Sequence, residues 1–204
     1  SGDGDLAITF RDYDQALSTS RVQYVLSGTS GADTIVGGDL GDTITGGAGN
    51  DSLTGGGGDD VFLVEDAHLA AGEVYAGGAG NDTLSVSDDS DFTGVASITS
   101  IETITLGAGV DVTFDAAQLT GETIAIDGTG NDLGETLTVN GTASGETIDL
   151  TNISVDGDDI TGASISAGDG NDTITGTNGV DTIDVGDGQD TVVYVNTTET
   201  ATSD

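Results

Sequence analysis

Aspartate recurs every nine residues along two stretches of this chain, always at the same place in a glycine-rich unit. The units span residues 28–36, 37–45, 46–54, 55–63, 77–85, 167–175, 176–184 and 185–193. Their sixth residues are Asp33, Asp42, Asp51, Asp60, Asp82, Asp172, Asp181 and Asp190. Carboxylate and main-chain carbonyl oxygens are the ligands that Ca²⁺ prefers, and it takes about six to eight of them. The spacing therefore predicts a row of calcium sites.

Glycines precede each aspartate and would expose main-chain carbonyl oxygens as further ligands. The glycines that we expect to take part are Gly28, Gly37, Gly46, Gly49, Gly55, Gly77, Gly168, Gly170, Gly186 and Gly188. Magnesium fits such a site less well, because it demands stricter octahedral geometry and releases its water reluctantly. Several Ca²⁺ ions are therefore the predicted cofactor.

A single apolar residue at the eighth position indicates the element that must carry each turn. In the first four units this residue is Ile35, Ile44, Leu53 and Phe62. Three residues around it make a strand roughly 10 Å long, whose apolar side chain faces one way and whose neighbours face the other. The other six residues must reverse the chain, and glycine supplies the positive φ angles that such a turn requires. The predicted fold class is all-β.

Two units, residues 46–54 and 77–85, resemble without departure the GGxGxDxUx nonapeptide of the RTX (repeats-in-toxin) family. The resemblance implies a right-handed, elongated parallel β-roll or β-solenoid with calcium between stacked turns. Units in that fold alternate between two sheets, so Asp33 should lie near the Asp51 turn and Asp42 near the Asp60 turn. Other units depart from the pattern, and the sites beside those turns are the weaker ones. The departures are Thr29 and Thr177 at the second position, Leu40 at the fourth, and Ala167 and Val185 at the first.

Charge makes a cation necessary for folding. The chain has 37 Asp and Glu residues against two basic ones, a formal net charge of −35. Two carboxylates on strands about 4.8 Å apart repel by roughly 3.5 kcal/mol at an effective dielectric of about 20. A few such pairs would cancel the stability of a domain, about 5 to 15 kcal/mol. Calcium reverses that effect, so we expect metal binding and folding to be coupled. Nucleic acid and anionic membranes are excluded as partners, since both require basic patches.

Composition suggests five segments. We expect a cap or linker at 1–27, an RTX β-roll at 28–85, a degenerate β-solenoid at 86–166, a second RTX block at 167–193 and a polar, truncated tail at 194–204. The cap holds Arg11 and Arg21 and the aromatic residues Phe10, Tyr13 and Tyr24. In 86–166 the alternating runs 98–106, 110–114, 136–139 and 147–150 predict half-buried strands. A globular insert there and a ligand-binding face formed by the two arginines are the alternatives.

Catalysis is not expected, because the chain lacks the residues for a nucleophile and base. Its single His68 has no other His, Cys or Lys in the sequence to work with. The acidic pairs Asp59-Asp60, Asp88-Asp89 and Asp158-Asp159 are expected to point to opposite faces or into solvent. A glycosidase or lyase that uses carboxylates alone is the remaining enzymatic alternative. The segment 128–132 resembles the repeat of RTX ice-binding adhesins but occurs once, so we interpret it as a turn variant.

The first functional hypothesis is a calcium-rigidified structural segment of a large secreted or cell-surface bacterial protein, such as an adhesin or a surface-layer protein. Its partners would be calcium and either further copies of itself or a component of the cell surface, and no transmembrane segment is expected. The alternative is a C-terminal secretion and folding module of a type I-secreted exoenzyme or toxin. Both hypotheses place the chain outside the cell.

Overall fold

The computed structural model describes residues 6–9, 22–128, 134–156, 160–195 and 200–202. Several features singled out in the sequence therefore lie outside the described residues. These are Phe10, Arg11, Tyr13, Arg21, the 129–132 part of the turn variant, and the pair Asp158-Asp159.

Short strands account for nearly all the regular structure in the described residues. They are β1 (Ala7–Thr9), β2 (Val25–Ser27), β3 (Thr34–Val36), β4 (Thr43–Thr45), β5 (Ser52–Gly57), β6 (Val61–Val64), β7 (Val74–Ala79), β8 (Thr83–Val86), β9 (Ser90–Asp91), β10 (Ser97–Thr99), β11 (Thr103–Leu106), β12 (Asp111–Asp115), β13 (Ile124–Gly128), β14 (Thr136–Thr142), β15 (Thr147–Asp149), β16 (Ile153–Val155), β17 (Ala163–Gly168), β18 (Thr173–Thr175), β19 (Thr182–Asp184), β20 (Thr191–Val193) and β21 (Thr200–Thr202). A 3-10 turn covers Asp66–His68, and one short helix, α1, covers Ala116–Leu119. No helix in the described part is long and apolar enough to cross a membrane.

The chain divides into two compact units. The first comprises the described residues up to Ser87 together with Gly94–Ile104, and the second comprises Asp88–Thr93 together with those from Thr105 onward. In the first unit one sheet has the order β1-β3-β5-β7-β10, and β2, β4, β6 and β8 stack in a second. In the second unit β9-β12-β14-β17-β19-β21 and β15-β18-β20 form two stacks, and β13 pairs with β16. Every described pairing is parallel, which confirms the all-β solenoid.

Register follows the length of each coil. β3 pairs with β5 and β2 with β4 at an offset of two nonapeptides, as Thr34 opposite Ser52 and Val25 opposite Thr43 illustrate. The alternation of units between two sheets is therefore confirmed. Where the repeat degenerates, the coils widen: Asp111 lies opposite Thr136, which is 25 residues further along the chain. The runs predicted as strands in 86–166 form strands, and the coils that contain them are wider than the nonapeptide coils.

Apolar residues at the eighth position form the interior of the first unit. Ile35, Ile44, Phe62 and Leu84 have no exposed surface, and Phe62 meets Tyr75 edge-on at 5.9 Å between ring centroids. Each contributes about 1.5 to 3 kcal/mol when fully buried. Because each nonapeptide buries only one such residue, the apolar interior is small. The stability of the coil therefore depends on the interactions within its turns.

In the second unit the interior gains two aromatic rings. Phe92 and Phe114 stack at 4.6 Å between centroids, nearly in parallel. Helix α1 follows directly, and its capping box is closed by the Asp115 N–H donating to Gln118 Oε1 at 2.8 Å. Both rings are fully buried and belong to the apolar interior of these wide coils.

One predicted strand is interrupted. The run 98–106 forms two strands, β10 and β11, rather than one, because the chain turns at Ser100–Glu102. Ser100 has a φ of 53° and is the one described non-glycine residue in the left-handed region. Register places it opposite Gly77, the first glycine of a nonapeptide turn, so a turn persists here after the glycine is lost.

Candidate functional site

The repeat aspartates lie inside the turns. Seven of the eight, namely Asp33, Asp42, Asp51, Asp60, Asp82, Asp172 and Asp181, are at most 2% exposed, and Asp190 is half-buried. No described residue is Lys or Arg, and the described ion pair joins His68 to Glu65 at 3.5 Å. Burying carboxylates without cationic partners is strongly unfavourable. The turns must therefore satisfy these charges in another way.

One oxygen of each aspartate is used in a ladder between coils. Asp51 Oδ1 accepts a hydrogen bond from the Asp33 N–H at 2.8 Å, and Asp60 Oδ1 accepts one from the Asp42 N–H at 2.7 Å. Asp82 Oδ1 continues the second series from the Asp60 N–H. In the second unit the Asp172 N–H donates to Asp190 Oδ1 at 2.9 Å. The predicted neighbours Asp33 and Asp51, and Asp42 and Asp60, are thus brought together.

The ladder continues into coils where the sequence has glutamate. Asp82 donates its N–H to Glu102 Oε2 at 2.8 Å, and the Glu146 N–H donates to Asp172 Oδ1 at 2.8 Å. Glu135 accepts from the Gly109 N–H at 2.8 Å, and this bond lowers the pKa of its carboxyl. The role of these glutamates in the ladder was not predicted from the sequence. The signal was the Glu-Thr-Ile/Leu pattern, which copies the Asp-Thr-Ile of the repeat with a longer acid.

The other oxygen divides the aspartates into two groups. Oδ2 accepts a main-chain N–H from four residues earlier in Asp33, Asp42 and Asp181. In Asp51, Asp60, Asp82 and Asp172, Oδ2 is buried and has no hydrogen-bond partner. An orphaned buried oxygen with a full negative charge is costly, and a cation is the partner that would remove the cost.

First-position glycines allow the chain to pass close to these carboxylates. A Cβ added to Gly28, Gly37, Gly46, Gly55 or Gly77 would overlap Oδ2 of the aspartate in the same unit. A Cβ on Gly28 would also overlap the carbonyl oxygen of Gly46 in the coil stacked on it. Carboxylate and carbonyl oxygens therefore converge where only glycine fits.

The remaining predicted glycines lie at positive φ. Gly49, Gly168, Gly170, Gly186 and Gly188 have φ between 68° and 156°. A Cβ on Gly49 would overlap the carbonyl oxygen of Gly31, and one on Gly186 would overlap that of Gly168. These positions expose main-chain oxygens between coils, as a calcium turn requires.

Burial raises several of these pKa values. Desolvation is the largest cause for Asp51, Asp60 and Asp82, with neighbouring carboxylates adding to it, and it raises the pKa of Asp60 to about 6. Glu73 precedes β7 at the place that Asp51 holds before β5, and burial raises its pKa to about 7 although the Tyr75 hydroxyl donates to it at 2.8 Å. Without a cation, burial therefore favours the protonated form of these four acids.

The acidic pairs in the described residues are not arranged as a catalytic pair of carboxylates. Asp59 is exposed while Asp60 is buried, and Asp88 and Asp89 are both exposed. No group of three Asp, Glu, His or Cys side chains lies close enough to hold a metal within the part of the chain described. The sequence predicts that main-chain carbonyl oxygens of the turns supply further ligands beside the aspartates.

The RTX calcium-binding nonapeptide repeat matches the chain in four copies, over residues 27–62, 71–92 and 162–192. The resemblance predicted from the sequence is therefore confirmed, and calcium is the ion that such repeats bind. The matched residues include all eight predicted aspartates. A comparison with curated proteins finds no match, and a comparison with solved structures finds none.

Adjacent glycines provide a matched test of turn geometry. Gly56 has a φ of 116° and lies against the Gly38 carbonyl oxygen, whereas a Cβ on Gly57 would meet its nearest atom at 3.5 Å. We expect Gly56→Ala to lower the free energy of unfolding in calcium by roughly 2 kcal/mol or more, since the left-handed backbone and the overlap both oppose Cβ. Gly57→Ala should stay within about 1 kcal/mol of wild type. Thermal denaturation measures both, and equal losses would contradict the geometry.

The raised pKa values predict how the calcium-free chain responds to acid. Asp60 and Glu73 hold protons more tightly in the folded chain than in the unfolded one, so their contribution is fully present below about pH 4. It is lost as the pH rises through about 6 and about 7. In chelator, far-ultraviolet circular dichroism should therefore show more strand at pH 4 than at pH 8. Asp60→Asn should flatten the profile more than Asp59→Asn at the exposed neighbour, and a profile unchanged by Asp60→Asn would refute this assignment.

Proposed function

We propose that this chain, which carries the RTX calcium-binding nonapeptide repeat, is a structural segment of a secreted or cell-surface bacterial protein and folds at neutral pH only when it binds calcium. The observation that carries the proposal is the set of buried Oδ2 atoms without partners in Asp51, Asp60, Asp82 and Asp172. Each belongs to a unit that matches the repeat. A carboxylate oxygen that is dry, charged and unpaired requires a cation, and calcium is the ion of this repeat.

The proposed ligands are the eight aspartates and the turn glycines predicted from the sequence. Calcium supplies the positive charge that lets these carboxylates remain ionised at close range. The chain supplies the rest: glycines expose carbonyl oxygens, the Oδ1 ladder fixes each carboxylate, and the eighth-position side chains hold the strands in register. Since the oxygens converge only when coils are stacked, binding free energy becomes folding free energy.

Calcium dependence suits a protein that works outside the cell. Extracellular calcium modules typically bind with dissociation constants of about 10⁻⁴ to 10⁻³ M, far above the free calcium of a cytoplasm. The chain would therefore remain unfolded during synthesis and fold after export. Secretion in an unfolded form, by the type I route of RTX proteins, is consistent with this behaviour.

A scaffold role in an adhesin or a surface-layer protein fits the degenerate coils better than a role beside an exoenzyme. The sequence of residues 86–166 lacks the GGxGxD turn, yet its described part contains parallel strands in which Val112, Leu137 and Ala163 are buried in register. Modules beside RTX exoenzymes tend to be compact runs of clean repeats, which an extended metal-poor segment does not resemble. The segment divisions predicted from the sequence, 1–27, 28–85, 86–166, 167–193 and 194–204, belong to this proposal.

Calcium titration tests the coupling of binding to folding. We expect a disordered circular dichroism spectrum in chelator and a cooperative gain of strand as free calcium reaches about 10⁻⁴ to 10⁻³ M. Magnesium at the same concentration should have little effect, because it tolerates this ligand geometry poorly. A spectrum already rich in strand at neutral pH in chelator would defeat the proposal.

Electron microscopy of the calcium-bound chain distinguishes the scaffold roles. Sheets or filaments would support self-assembly in a surface layer, since ordered arrays require repeated contacts between copies. Isolated particles would count against that role and leave both an adhesin segment and an exoenzyme module open. Hydrolysis of a polysaccharide panel by the purified chain, lost on substitution of exposed acids, would overturn both in favour of an enzyme.

A further inference from the structure

We propose that the repeat turns fall into two classes and that only one of them binds calcium. Turns with glycine at both the second and fourth positions are open and take an ion. The turns of Asp33, Asp42 and Asp181 are closed by their own main chain and take none. This inference rests on the proposed calcium binding and narrows the eight predicted aspartate ligands to those of the open turns.

The closed turns have no free carboxylate oxygen. Asp33 accepts the Leu6 N–H at Oδ1 and the Thr29 N–H at Oδ2, at 2.6 and 2.5 Å. Asp42 accepts the Tyr24 N–H at Oδ1 and the Gly38 N–H at Oδ2, both at 2.7 Å. Main-chain N–H groups thus provide the positive poles that an ion would otherwise provide.

Asp181 has the same arrangement in the second unit. Its Oδ1 accepts the Ala163 N–H at 2.8 Å and the Thr177 hydroxyl at 2.7 Å, and its Oδ2 accepts the Thr177 N–H at 2.8 Å. A threonine at the second position therefore closes the turn twice, by main chain and by side chain. Thr29 also donates its hydroxyl to Asp33, at 3.1 Å to Oδ2.

The open turns lack this closure. Asp51, Asp60, Asp82 and Asp172 keep a hydrogen bond at Oδ1, but no donor reaches Oδ2 although the atom is fully buried. These side chains are at most 1% exposed. Water therefore has little access, and the oxygen remains available to a cation.

Backbone conformation separates the classes. Every open turn has positive φ at its second and fourth residues: Gly47 and Gly49, Gly56 and Gly58, Gly78 and Gly80, Gly168 and Gly170. In each closed turn one of these two residues is not glycine: it is Thr29, Leu40 or Thr177. The glycine at the other position, Gly31, Gly38 or Gly179, does not have a positive φ. Threonine and leucine resist the left-handed region by about 1 to 2 kcal/mol. The sequence thus selects which turns open.

The turn of Asp190 has the open conformation. Gly186 and Gly188 have φ of 68° and 156°, and Asp190 itself is half-buried. Its ladder partner is Asp172, which is open, whereas Asp181 lies before the other sheet and is closed. In the second unit, calcium would therefore bind beside one sheet only.

Counting bound ions in matched variants tests the proposal. Native mass spectrometry and calorimetric titration with CaCl₂ would compare Asp51→Asn and Asp172→Asn with Asp33→Asn and Asp181→Asn, each in the full chain. We expect the first pair to lose at least one ion and the second pair to keep the wild-type number. Leu40→Gly should gain one, because it gives the Asp42 turn glycine at both positions.

The outcomes separate this inference from the proposed function. Equal loss of calcium in Asp33→Asn, Asp181→Asn and Asp51→Asn would overturn the two classes and leave calcium binding intact. A wild-type chain that binds no calcium would overturn both. If an asparagine variant fails to fold in calcium by circular dichroism, Leu40→Gly decides, and an unchanged ion number there contradicts the proposal.

Discussion

Seven of the eight nonapeptide turns of this chain bury a carboxylate, and the structure depends on how that charge is compensated. The described residues contain no Lys or Arg, and the apolar interior of a nonapeptide coil is one residue thick. Stacked carboxylates at strand spacing cost several kcal/mol, a large part of what any small domain has. Hydrophobic burial at one residue per unit offsets little of it. Cations and main-chain N–H groups are the two compensations available.

The ladder of Oδ1 hydrogen bonds explains why aspartate is retained where glycine varies. Its short side chain accepts a hydrogen bond from the N–H of the aspartate in the preceding coil, at 2.7 to 2.8 Å, while Oδ2 stays directed at its own turn. Beyond the nonapeptides a glutamate accepts the corresponding hydrogen bond, and its side chain is longer by one methylene. Glu102, for example, accepts from the Asp82 N–H. The acid position is therefore part of the fold as well as a candidate ligand.

Much of this was readable from the sequence, because a nine-residue period fixes strand, turn and stacking together. Asp33 beside Asp51, the strands at Ile35 and Ile44, and the parallel solenoid follow from spacing and resemblance. The break at Ser100 could not be predicted, because the alternation of apolar and polar residues continues across it. A serine in the left-handed region has no recognisable signal in the sequence. The closure of Asp42 was also hidden: Leu40 marked a weak site, but only coordinates show Gly38 donating to Oδ2.

We propose that calcium makes the buried aspartates compatible with the fold. The melting temperature as a function of free calcium, measured by calorimetry, tests this most directly, because an ion bound only by the folded state must raise the melting temperature as its concentration increases. We expect a continuous rise with the logarithm of calcium concentration and loss of the transition in chelator at neutral pH. A melting temperature independent of calcium would contradict it.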